Sequence, residues 1–124
     1  MRGTRDRGEG VVGYVILVPV ALFVVLLGVQ AAVYFHEANI ADNAAGRAAT
    51  TASRRGSGSG AGRAEARAVV MESGSRLVDV KVIDGALVRA TVRLSVSRVV
   101  PLFPDSVERS ATAPKERFVP EDER

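Results

Sequence analysis

Residues 10–35 read GVVGYVILVPVALFVVLLGVQAAVYF, without one charged side chain. A helix rises about 1.5 Å per residue, so the ~20 apolar residues that a bilayer core demands fit here with length to spare for tilt. In a chain of 124 residues no soluble core is thick enough to enclose such a helix on every side. The stretch predicts a transmembrane helix at residues 9–35, with membrane lipid as its solvent. Arg2, Arg5 and Arg7 precede it beside Asp6 and Glu9; His36, Glu37 and Asp42 follow, with no further Arg until Arg47. Retention of positive charge on the cytoplasmic side sets the N-terminus inside and the remainder outside a plasma membrane. Val29-Gln30-Ala31 offers a small-residue cleavage pattern. Secretory apolar regions, however, run only about 7–15 residues, so a retained single-pass anchor is expected over a removed signal.

Within the run, Pro19 lacks an N–H and is expected to kink the helix, which membranes tolerate when neighbouring groups take up the freed carbonyl. Gly28, Ala31 and Ala32 make a small-residue face that another helix can approach. Tyr34, Phe35 and His36 stand where an interfacial aromatic belt is expected. Residues 36–55 are Ala-rich and free of proline, so the helix should continue as a stem. Its apolar stripe (Val33, Ile40, Ala44, Ala48) is shallow and needs a neighbour to pack on. Glu37 and Asp42, five residues apart, are expected to be solvated.

Farther out, residues 56–62 (GSGSGAG) have the composition of a flexible linker. Residues 63–73 read as a short helix ended by Gly74, with Ala66, Val69 and Val70 facing the sheet that follows. Residues 77–82 and 86–96 each alternate apolar with polar, which is the signature of strands, and Asp84-Gly85 marks the hairpin turn between them. A three-residue loop with Gly85 left-handed would pair Val82 with Ala86, Val80 with Val88 and Val78 with Ala90. That register keeps the apolar residues on one face and sets Asp79 opposite Arg89. Pro101 and Pro104 interrupt any ladder, residues 106–113 can return as a third strand, and the polar tail 114–124 is expected to be loose. The fold class is α+β: a long N-terminal transmembrane and stem helix, then a short helix with a small antiparallel hairpin or three-stranded sheet, in one exported module over residues 63–113.

The chemistry is sparse. With no cysteine there is no disulfide, thiolate metal site or Cys nucleophile, and the single histidine has no companion for a metal site. No Gly-x-Ser-x-Gly elbow and no phosphate-binding loop with its Lys are present. The net charge of +3 is dispersed among acids, without basic blocks interleaved with aromatics. We therefore expect no catalytic residues, no metal, no cofactor, no nucleic-acid partner and no small-molecule substrate.

The string Arg7-Gly8-Glu9-Gly10-Val11-Val12-Gly13-Tyr14-Val15-Ile16-Leu17-Val18-Pro19 resembles the start of TadE-like proteins of the tight-adherence (Tad) pilus system, relatives of type IV pilins. Softer likenesses lie in residues 38–49 and 111–118. The resemblance implies a basic leader (residues 1–8) cut by a prepilin peptidase between Gly8 and Glu9. Tyr14 would then be the aromatic at the sixth place and Pro19 the proline at the eleventh. The fifth place, where the family carries Glu, is Gly13. The implied function is that of a pilin-like (pseudopilin) subunit, structural in pilus assembly or a related secretion machine, with other pilin-like subunits as partners. The alternative is an unprocessed, membrane-tethered accessory or binding protein of the cell envelope.

Overall fold

A computed structural model describes the backbone of residues 3–116 and the side chains from Gly10 onward. The architecture is α+β. Helix α1 (Gly3–Ser53) is followed by α2 (Ser59–Ser73) and three strands, β1 (Leu77–Ile83), β2 (Leu87–Ser95) and β3 (Ser106–Pro114). The strands form one antiparallel sheet in the order β1-β2-β3. One face of this sheet lies on the distal half of α1 and on α2, and the other is open.

α1 is helical on both sides of Pro19 and divides into two halves by what surrounds it. Up to Val25 every described side chain is exposed; from Gln30 onward one face is covered. The covered face is almost pure alanine: Ala38, Ala41, Ala44, Ala45, Ala48, Ala49 and Ala52 are all buried. Their spacing of three and four residues draws one seam along the helix, and the missing side-chain bulk lets both sheet and α2 come close. The sheet supplies the volume, through Val82, Val88, Ala90, Val92, Leu94 and Val107, while α2 adds Ala66, Val69 and Val70.

α2 begins at Ser59, so Ser59, Gly60, Ala61 and Gly62, which by composition belong to a linker, are helical. The reason is tertiary. Gly62 is buried against α1, and a Cβ there would sit 2.8 Å from the Ala48 carbonyl oxygen and 3.0 Å from the Ala52 Cβ. Only a residue without a side chain lets α2 cross at that distance, and the contact outweighs the poor helix propensity of glycine. The connection shrinks to residues 54–58, with Gly56 at a φ of 78°. Gly74 ends α2 in the left-handed conformation (φ 75°), as its position predicts.

The hairpin keeps the expected faces and changes register. Val82 pairs with Ala90, Val80 with Val92, Ile83 with Arg89, and Asp79 with Arg93. The pairing is displaced by an even number of residues, so Val80, Val82, Val88, Ala90, Val92 and Leu94 still point inward, while Ala86 is exposed. Leu87 and Val88 pair only with β3, opposite Pro114 and Ala113, and the Lys115 N–H donates to the Ala86 carbonyl at 3.1 Å. The loop after Ile83 is therefore wider than three residues, and Gly85 does not adopt a positive φ. A bulge between Leu77 and Asp79 turns Leu77 inward opposite Leu94 and leaves Val78 53% exposed rather than paired with Ala90.

Candidate functional site

Where α1 passes from bare to covered, the apolar run holds one polar residue, Gln30, and it is completely buried. Its amide holds the loop that leaves β2. The Nε2 group donates to the Ser97 carbonyl at 3.1 Å, while Oε1 accepts from the N–H groups of Val99 (2.6 Å) and Val100 (3.2 Å). Three backbone groups of an irregular segment are thus satisfied by one side chain, which otherwise could not be buried without a cost of about 1–3 kcal/mol per unpaired group. Gln30 is the collar of the molecule. Sequence reasoning passed over it because its partners lie 67–70 residues away; the available signal was a lone amide in an otherwise apolar run.

Residues 10–29 rise about 30 Å, which matches a bilayer core. Among the described residues this helix alone is long and apolar enough to cross a membrane, and its most apolar window is wholly unburied. In a bilayer whose core began at Gly10, that core would end at the collar, and Tyr34 and Phe35, stacked edge to face with centroids 5.9 Å apart, would fall at headgroup depth together with the exposed His36. Residues 30–35, read as part of the apolar span, are instead partly covered: Val33 and Tyr34 pack on the buried core. The small face remains open at Gly28 and Ala32, whereas Ala31 is half-buried.

A second node closes the far end. Lys115 reaches back from the end of β3, and its Nζ donates to the carbonyls of Ala52 (2.9 Å) and Ser57 (3.0 Å) and pairs with Asp84 at 3.1 Å. The Glu116 N–H donates to the Ser53 carbonyl at 2.9 Å. α1 has no basic residue in its own last turn, so Lys115 supplies the cation that its carbonyl terminus favours. Asp84 thus serves the hairpin by holding Lys115, and residues 114–116, expected to be loose, are tied down. The rest of the tail, 117–124, lies outside the described residues.

Of the two acidic residues expected to be solvated, one differs. Glu37 is half-buried rather than solvated, and its Oε2 has no hydrogen-bond partner in the structure. Asp42 is exposed and faces Arg109 of β3 at 3.7 Å. An open cleft of about 630 Å3 between α1 and α2 is lined by Asn43, Thr50, Thr51, Arg54 and the Arg47–Glu65 pair at 3.7 Å. No group of three or more metal-ligating side chains gathers among the described residues. Gly8 and Glu9 lie on the first turns of the α1 backbone, ahead of the first described side chain, so their surroundings fall outside the described residues. Comparison with family models, with curated proteins and with solved structures yielded no match.

Proposed function

We propose that this chain is a single-pass, pilin-like (pseudopilin) subunit with a structural role in assembling a tight-adherence pilus or a related secretion machine. Its N-terminus lies in the cytoplasm and its sheet module outside the plasma membrane. The observation that carries this reading is the division of α1: about 30 Å of bare apolar helix runs, without a break, into a half that forms the spine of the module. Such a subunit has no loop between membrane and module to absorb motion, which suits a part that stacks against others. The open faces at Gly28 and Ala32 allow a second apolar helix to approach closely. The buried Gln30 also speaks for a retained helix, because a cut after Ala31 would remove the side chain that holds residues 97–100.

The unprocessed accessory protein is favoured by one feature, Gly13 at the place where the resembling family has Glu. Intact mass of the membrane-extracted protein, made with and without a prepilin peptidase, separates the readings. Loss of the first eight residues, so that the chain starts at Glu9, is the expected result. A full-length chain in both samples would establish the accessory reading in its place. A chain starting near Ala32 would defeat both.

A further inference from the structure

The loop that Gln30 holds carries apolar side chains that the fold leaves bare. Residues 99–104 read VVPLFP, with Arg98 before and Asp105 after. Leu102 is 82% exposed and Val99 is 55% exposed, whereas Val100 is buried. The loop is not slack. Its base is closed by the Val96 N–H donating to the Asp105 carbonyl at 2.8 Å, and its tip is turned by Phe103 N–H to Val100 carbonyl at 3.3 Å.

Its position along α1 follows from its partners. Near Glu37 the helix faces Ser95 and Ser97, and at Gln30 it faces residues 97–100, so the chain leaving β2 advances toward the bare half. Cover then reaches one turn farther: Leu26 and Leu27, four and three residues before Gln30, are only partly exposed, against 59% and 61% for Leu17 and Leu22. The fully bare stretch, residues 10–25, rises about 24 Å and falls short of the ~30 Å that a membrane core requires. A bilayer that begins at Gly10 therefore extends past Leu26 and meets the loop.

In hydrocarbon every backbone N–H and C=O must be paired, so the loop's backbone, with its unpaired carbonyls, belongs at the headgroup level and only its apolar side chains reach inward; its N–H groups add little cost there. Pro101 and Pro104 have none, the Val99 and Val100 N–H groups are bonded to Gln30, and the Phe103 N–H is bonded within the turn. Only the Leu102 N–H is left, at the tip. Arg98 at the rim can lay its stem along apolar surface and keep its guanidinium among phosphates.

We propose that residues 99–104 form a wedge that sits in the outer leaflet of the membrane α1 crosses, with Leu102 in the acyl region and Arg98 at the headgroups. The wedge would fix the module's depth and its rotation about α1, giving a single-pass protein two points of attachment. This rests on the reading of α1 as a retained membrane helix.

The chain has no cysteine, so single-cysteine labelling is direct. Full-length Leu102→Cys, Thr112→Cys (exposed on β3) and Val18→Cys, each carrying an environment-sensitive fluorophore, would be placed in phosphatidylcholine vesicles. The expected result is blue-shifted emission at 102, quenched by nitroxides on the upper acyl chain, with loss of quenching by aqueous iodide. At 112 the label should stay open to iodide, and at 18 it should be quenched by deep nitroxides. Iodide access at 102 equal to that at 112, with 18 still deep, would overturn the wedge and leave the membrane helix standing. Iodide access at 18 as well would overturn both. A label at 102 that is shielded from iodide, untouched by lipid nitroxides and released on dilution in lipid would assign the loop to a second copy instead, which also overturns the wedge.

Discussion

Gly62→Ala should destabilise the module although alanine is the better helix former. A Cβ at this position meets the Ala48 carbonyl oxygen at 2.8 Å, the Ala52 Cβ at 3.0 Å and Val82 Cγ1 at 3.4 Å. The first of these atoms belongs to a helix backbone and cannot rotate away, so α2 must lift from the alanine seam. Overpacking of this kind costs about 1–3 kcal/mol, against ~1 kcal/mol gained in propensity. We expect a net loss of up to about 2 kcal/mol, which for a module of this size lowers the melting temperature by up to roughly 16 °C. Gly46→Ala is the internal control. It lies in the same helical seam region on α1, a Cβ there meets nothing within 4 Å, and the change should raise stability by about 0.4–1 kcal/mol. Calorimetry of the full chain in nonionic micelles reads both. Melting of Gly62→Ala at or above the parent, in a series where Gly46→Ala behaves as stated, would refute the close crossing of α1 and α2.

Three further outcomes are expected. Gln30→Leu keeps the helix apolar but orphans the Ser97 carbonyl and the N–H groups of Val99 and Val100, at about 2–4 kcal/mol; faster hydrogen exchange at Val99 and Val100, with unchanged membrane retention, would show it. Lys115→Met removes the cation from the end of α1 at about 1–2 kcal/mol, partly screened because that side chain is 22% exposed, and Asp84→Asn should cost less because it still offers an acceptor; the two melting temperatures decide the order. Gly74→Ala forces a side chain into a left-handed conformation and should cost about 1 kcal/mol, whereas Gly85→Ala should be near neutral, its nearest neighbour being the Leu87 carbonyl at 3.8 Å; urea midpoints that place the two changes level would contradict the backbone described at both turns.

What the sequence conveyed and what it withheld divide along the range of the interactions. The apolar run, the alternation of Val80, Val82, Val92 and Leu94, and Gly74 as a helix stop are local patterns, and each predicted its element. The register of the hairpin was set elsewhere: Leu87 and Val88 are claimed by β3, and Lys115 holds Asp84, so no reading of residues 82–86 alone could place the pairing. The glycines of residues 58–62 carry the composition of a flexible tether, yet Gly62 is there because Ala48 is close, a fact of the folded state only. Gln30 was in plain view as the one amide in the run. Its role needed a loop near the far end of the chain, and without that loop it reads as the fading edge of the hydrophobic segment.

The unbroken length of α1 has a mechanical consequence. Fifty-one residues make a rod of about 75 Å, and the sheet is riveted along its C-terminal half. Tilting the N-terminal half must therefore swing the Lys115–Asp84 corner through a proportionate arc. With α1 crossing a membrane as proposed, bilayer thickness would set that tilt through hydrophobic mismatch and so become a dial on the attitude of the whole sheet module. The same polypeptide would present different flanks to its surroundings in thin and in thick membranes, with no rearrangement inside the module.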